Sequence, residues 1–387
     1  MAKQVAFITP SVLQWARLRA RLSVEALADK AHVRKAKIIA WESGGERPTM
    51  RQAEHVAAAL HVPFGYLFLP QPPTETVPLP DFRRTVGGRT AEPSPDLIDV
   101  MNDVIVKQQW YREFLLEEGQ GALPFVGKFK ATDSPDPIAA DIRKIVGITS
   151  EIREECASWA DFLRILVKRC ESVGVLVLRS GIVGGNPHRK LYADEFRGFT
   201  ISDPIAPFVF INGSDTRAAQ VFTLCHELAH VWINASGISD ERMDHPTARD
   251  SNKVEWLCDQ VAAETLVPAN EFIWETERDI EFNLAALSKL FRVSALVILR
   301  RALDLGYIEQ EEFLEAYRYR EAQYRLQEDQ GSGGNFFPTL LSRNSATFTR
   351  TVVGALGERR ALFREAAQLL NVKVPTISKV AEYIESA

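Results

Sequence analysis

The chain has 387 residues, 46% of them hydrophobic and 25% charged, the make-up of an ordinary soluble globular protein with room for two or three domains. Its net charge of −5 is too mild to name a partner. No charged-then-apolar signal segment opens the chain, no apolar run approaches the roughly 20 residues that cross a bilayer, and Cys156, Cys170, Cys225 and Cys258 lack C-x-x-C spacing. A cytoplasmic protein with reduced thiols and no membrane contact is therefore expected.

Charge is unevenly spread. Residues 1–70 hold ten Lys and Arg against five Asp and Glu, so a basic head precedes an acidic body; either the head meets an anionic partner or it carries a solvated face. Residues 10–68 read as five short helices. Ser23 caps the second, Ala31-His32-Val33 turns tightly into a third bearing Ile38, Ile39 and Trp41, and Pro48-Thr49 and Val62-Pro63 start the last two. Two short helices about a three-residue turn, the second presenting Arg34, Lys35 and Lys37, have the shape of a helix-turn-helix.

This stretch resembles the Xre/Cro-type repressor domain in Leu27-Ala28, Trp41-Glu42-Ser43-Gly44, Pro48-Thr49 and the ending Val62-Pro63-Phe64-Gly65-Tyr66-Leu67-Phe68. The resemblance implies duplex DNA as the partner of residues 1–68, contacted through Arg34, Lys35 and Lys37. It departs at His32, where the turn Gly is usual, and at Arg34, where a capping Ser is usual. His tolerates a positive φ, so the fold is compatible, and a protein-contact module is the alternative to DNA.

Residues 70–95, rich in Pro, Thr and Gly, read as an extended linker, interrupted by Leu79-Pro80-Asp81-Phe82-Arg83-Arg84, whose apolar residue between charges suggests docking. Helical spacing runs from Asp96 to Glu118, with Trp110 and Phe114 on one face, and again over Pro137 to Val146 and Ile152 to Glu171. The period then changes. Val173 to Leu178, Arg197 to Ile201 and Pro207 to Asn212 are short β-rich runs that predict a small sheet ahead of the next helix, and Gly181 to His188 reads as a loop.

That next helix carries Phe222-Thr223-Leu224-Cys225-His226-Glu227-Leu228-Ala229-His230-Val231-Trp232. At about 3.6 residues per turn, positions four apart share a face, so His226 and His230 can converge on one ion while Glu227 reaches its open side. A zinc hydrolase needs this set: two neutral imidazoles on the metal and a carboxylate beside it to take a proton from water. The large apolar flanks would bury both rings, and a buried polar ring needs a partner.

Zinc in a catalytic site takes a third protein donor, and Glu255-Trp256-Leu257-Cys258-Asp259-Gln260-Val261-Ala262-Ala263-Glu264, a helix closed by Pro268, supplies candidates. Glu255 is the choice for the metal, Asp259 one turn on is placed to hold a ligand imidazole, and Glu264 stays a rival ligand. Cys225 and Cys258 read as small apolar helix residues.

These residues resemble the ImmA/IrrE family of zinc metallopeptidases, in which HExxH is followed by a helix of pattern E-x-x-A/C-N-x-x-A-A-E-x-L-x-P; Asp259 stands where Asn is usual. The resemblance implies Zn2+ on His226, His230 and Glu255 and the general base at Glu227. It also implies a zincin-type sheet whose exposed edge, ahead of the metal helix, pairs with an extended peptide. Members cleave a repressor or act as stress, mobile-element or toxin–antitoxin regulators.

Beyond Pro268, Leu284 to Leu305 reads as two helical segments, Glu311 to Asp329 as a charged amphipathic helix and Gly331 to Gly334 as a flexible linker. In the last fifty residues Ala367 to Lys373 echoes Ala28 to Arg34, and Ile377 echoes Ile38. A plain helical hairpin is preferred there over a second helix-turn-helix.

The whole reading is an α+β, predominantly helical protein: an all-α helix-turn-helix head at 1–69, a linker at 70–95, a zincin-like metallopeptidase domain with a small sheet at 96–330 and a small helical unit at 336–387. The expected function is a zinc endopeptidase that regulates transcription, stress or a toxin–antitoxin pair by cutting a partner protein. The alternative is an antitoxin-like DNA- and partner-binding regulator whose metal site does no proteolysis. His188, Tyr192 and His245 are candidates for stabilising an oxyanion, and a homodimer stays open.

Overall fold

The computed structural model describes residues 4–74, 78–80, 93–239, 253–327 and 335–386. The chain divides into one compact unit of residues 1–78 with 92–99 and another of residues 79–91 with 100–387. The first holds α1 (Pro10–Arg19), α2 (Val24–Lys30), α3 (Lys35–Glu42), α4 (Met50–Ala59) and a 3-10 turn over Phe64–Phe68. Three of the four α-helix starts have a local cause. Pro10 sits in the first turn of α1, the Ser23 hydroxyl accepts the Ala26 N–H, and Thr49 with Gln52 forms a reciprocal capping box. Arg21, His32 and His61 turn the chain at φ of 53° to 54°, the left-handed region usually left to Gly. Leu13, Leu27, Ile38 and Trp41 fill the core, and the Arg17 guanidinium grips Glu42 through two hydrogen bonds of 2.7 and 3.0 Å.

α5 (Pro95–Glu117) belongs to the second unit from Val100 on, and there α6 (Pro135–Val146), α7 (Ser150–Glu155) and α8 (Trp159–Ser172) lead to the strands. The helix expected over Ile152 to Glu171 is two, because the Ser158 hydroxyl accepts the Asp161 N–H and starts α8 afresh. Then follow β1 (Leu176–Ser180), β2 (Gly198–Ile201), β3 (Phe208–Asn212), α9 (Arg217–Trp232), β4 (Gly237–Ser239) and α10 (Lys253–Leu266). The sheet order is β1-β3-β2-β4, with β1 parallel to β3 and the other pairs antiparallel.

The remaining helices are α11 (Ile280–Phe291), α12 (Ala295–Asp304), α13 (Gln310–Gln327), α14 (Phe336–Asn344), α15 (Ala346–Gly357), α16 (Phe363–Leu369) and α17 (Val374–Ser386). The first two meet at 107°, turned by Arg292 at φ 56°. Asn371, at φ 53°, turns α16 into α17 just as His32 turns α2 into α3. The last helices are tied to the body: Arg179 of β1 donates to Ser342, Phe348 packs edge-on against Phe208, and buried Lys107 bonds Asp103 and Asn344. No single helix among the described residues is long and apolar enough to cross a membrane.

Candidate metal centre

α9 is buried from Gln220 to Trp232, as expected of a helix that is apolar nearly all round. Thr216 caps it by accepting the Ala219 N–H, and the Trp232 ring stacks on Phe125 at 4.5 Å while its N–H donates to Asp141. Strand β2 lies directly on this helix. A Cβ at Gly198 would fall 2.6 Å from Glu227 Oε1 and 2.9 Å from Thr223 Cγ2, so only Gly allows the approach.

On the other side α10 packs along α9 and brings its first turn to the two imidazoles. His226 and His230 have their Nε2 atoms 3.1 Å apart, and the Glu255 carboxylate spans them at 3.3 and 3.1 Å. All three side chains are buried, so these lone pairs share a space that only a proton or a cation can make favourable. The N, N, O donor set fits a divalent ion. Burial pushes the Glu255 carboxyl up, but the facing His230 and His226 more than offset this and hold it down at about 2. His226 Nδ1 meets Asp259 Oδ1 at 3.0 Å, which orients the ring with Nε2 toward the shared space.

Glu227 sits beside this set. Burial raises its carboxyl above the ordinary carboxylate range, countered in part by His230, His226 and a hydrogen bond from Thr200. Thr200 Oγ1 donates to Oε2 at 2.6 Å, while Oε1 is buried without a hydrogen-bond partner. One oxygen is fixed and the other is left for a ligand.

Glu264 is otherwise engaged. It pairs with buried Arg301 and accepts the Ala269 N–H at 3.2 Å, and Arg143 lies 3.7 Å away, so it closes α10 rather than facing the imidazoles. The thiol of Cys258, read from the sequence as a small apolar group, instead lies within 4.8 Å of ring nitrogens of both His226 and His230. Of the oxyanion candidates, His188 and Tyr192 are exposed, Tyr192 by 66%, and His245 lies outside the described residues. A closer hydroxyl is that of Ser239 on β4, 3.3 Å from His230 Nε2.

The sheet edge also differs from expectation. The strands ahead of α9 are not the edge beside the imidazoles; that place falls to β4, which follows the helix and brings Ser239 to His230. Its Ile238 N–H donates to Pro80 O at 2.9 Å; Asp81-Phe82-Arg83-Arg84 are outside the described residues. In the head, Arg34 and Lys35 are exposed and Lys37 half-buried on α3, and Lys35 pairs with Glu25. Arg34 occupies the N-cap without a side-chain hydrogen bond.

Residues 170–303 match the family model of the IrrE N-terminal-like domain, Peptidase M78. Residues 13–67 match a helix-turn-helix model, and residues 344–383 match a domain of unknown function, DUF8813. No curated protein matches the chain.

Proposed function

We propose that this chain, a helix-turn-helix domain joined to an M78-type peptidase domain, is a zinc-dependent endopeptidase of the cytoplasm that regulates transcription by cutting a partner protein. The observation that carries the reading is the placement of Glu227: a buried carboxylate next to a convergent His226, His230 and Glu255 set, with one oxygen held by Thr200 and the other unbonded.

When bound there, a divalent ion supplies Lewis acidity to a water and to a peptide carbonyl. His226, His230 and Glu255 would hold it, with Asp259 fixing the ring of His226. Glu227 takes the proton of the attacking water at Oε1 and passes it to the leaving amine, while Thr200 keeps the carboxylate from swinging away. An extended peptide would lie along β4, where the Ile238 N–H now donates to Pro80 O. The basic start of α3 would locate the protein on duplex DNA.

A second reading has one observation in its favour. If Cys258 joined the donor set, four protein donors would close the site, the pattern of a structural zinc, and the chain would be a DNA- and partner-binding regulator without proteolysis. Cys258→Ala separates the two. Metal content and cleavage preserved in that variant support the peptidase, and loss of metal supports the closed site.

A further inference from the structure

An open pocket of about 380 Å³ lies where the end of α11 and the start of α12 meet the start of α8 and α13, and none of its lining residues belongs to the metal centre. Its volume is in the range of small-molecule sites. Lys289, Arg292 and Arg320 line it, with no acidic residue among the described ones; Trp159, Leu284 and Ser288 lie among them.

Two buried groups there lack the partners they need. Ser288 is 8% exposed, and its hydroxyl makes no hydrogen bond. Arg320 Nε is buried without a partner, although another nitrogen of the same guanidinium pairs with Glu281. Buried polar groups in native proteins are nearly always bonded, so such a pair facing one pocket points to an absent acceptor. Arg292 is held in place, its Nε donating to Arg153 O at 3.0 Å. Ala157 and Ser158 bring the N-terminal end of α8 to the same space, adding the positive end of a helix of 14 residues.

We propose that this pocket binds a small phosphomonoester bearing a flat apolar group. Three cations, of which among the described residues only Arg320 pairs with a carboxylate, that of Glu281, suit a dianion better than a single carboxylate. The phosphate would accept from Ser288, Arg320 and Lys289. The apolar group would lie against Trp159, which is 38% exposed, and Leu284.

The test is calorimetric titration of the full-length protein with phenyl phosphate, inorganic phosphate and phenol. Phenyl phosphate should bind saturably and about ten-fold more tightly than inorganic phosphate, and phenol should not bind. Ser288→Ala should weaken phenyl phosphate about ten-fold with an unchanged melting temperature, since the hydroxyl bonds nothing in the protein. Lys289→Ala, at an exposed position, should weaken it and flatten its salt dependence. The proposal fails if phenyl phosphate does not saturate by about 10 mM. It fails equally if inorganic phosphate binds as tightly, or if both variants bind as wild type does.

Discussion

Thr200 Oγ1 stands 2.6 Å from Glu227 Oε2 and donates its proton there, so a strand residue fixes the only carboxylate on the metal helix. The bond divides the two oxygens between holding and reacting. Thr200→Val should lower the rate of partner cleavage about 10- to 100-fold with metal content unchanged, and Thr200→Ser should restore it. The sign with pH follows from the base role. Glu227 works ionised, so the rate falls as pH drops through its carboxyl pKa, and losing the Thr200 hydrogen bond, which lowers that pKa, moves the limb to higher pH. A Val variant with wild-type rate and pH limb would remove Thr200 from the account.

Metal content separates the carboxylates of α10. His226→Ala, His230→Ala and Glu255→Ala should each lose stoichiometric zinc, and Asp259→Ala should weaken it about 10- to 100-fold. Glu264→Ala should keep the metal and lose stability, about 3 to 5 kcal/mol, because Arg301, only 5% exposed, is left without its partner. Elemental analysis and thermal melts of the purified variants check both halves. Full occupancy in Glu255→Ala would move the third donor elsewhere.

For the head, replacing Arg34, Lys35 and Lys37 with Ala should weaken binding to duplex DNA and reduce the slope of affinity against salt. Fluorescence anisotropy over a salt series reads both. Unchanged binding would shift the head to a protein-contact role.

The same head carries an acid-sensitive pair. Lys35, with Glu25's own backbone N–H and Ser23, holds the Glu25 carboxyl down to about 2 from 4.5. A depressed folded pKa gives stability that is present above 4.5 and lost as pH falls toward about 2. Glu25→Gln should therefore flatten the acid dependence of amide exchange in α2 and α3 over that window, and cost little at neutral pH, because both side chains are 56% exposed. Identical acid slopes in the two proteins would contradict it.

Helical periodicity and caps made most helices readable in the sequence, and the four-residue spacing of His226 and His230, with Glu227 between them, put three of the candidate residues on one helix. What stayed hidden depends on packing between distant segments. β4 is three residues long with a Gly, too short for any period, yet it brings Ser239 to His230. Thr200 looked like one β-branched residue among several, and its role exists only because Gly198 lets β2 touch α9. Glu264 and Glu255 could not be ranked by spacing. What distinguishes them is Arg301, which comes from α12 and engages Glu264. The break before α8 followed a single Ser in an otherwise continuous apolar pattern.

Glu227→Gln isolates the proteolytic chemistry, because it removes the base while keeping size and all proposed metal donors. Partners that co-purify with this variant are identified and then incubated with wild-type protein and zinc. The variant should keep metal and DNA binding, retain a bound protein, and leave intact what the wild type cuts. If the variant cleaves that protein as fast as wild type, or if both produce the same regulatory phenotype in cells, proteolysis through Glu227 is not what the protein does.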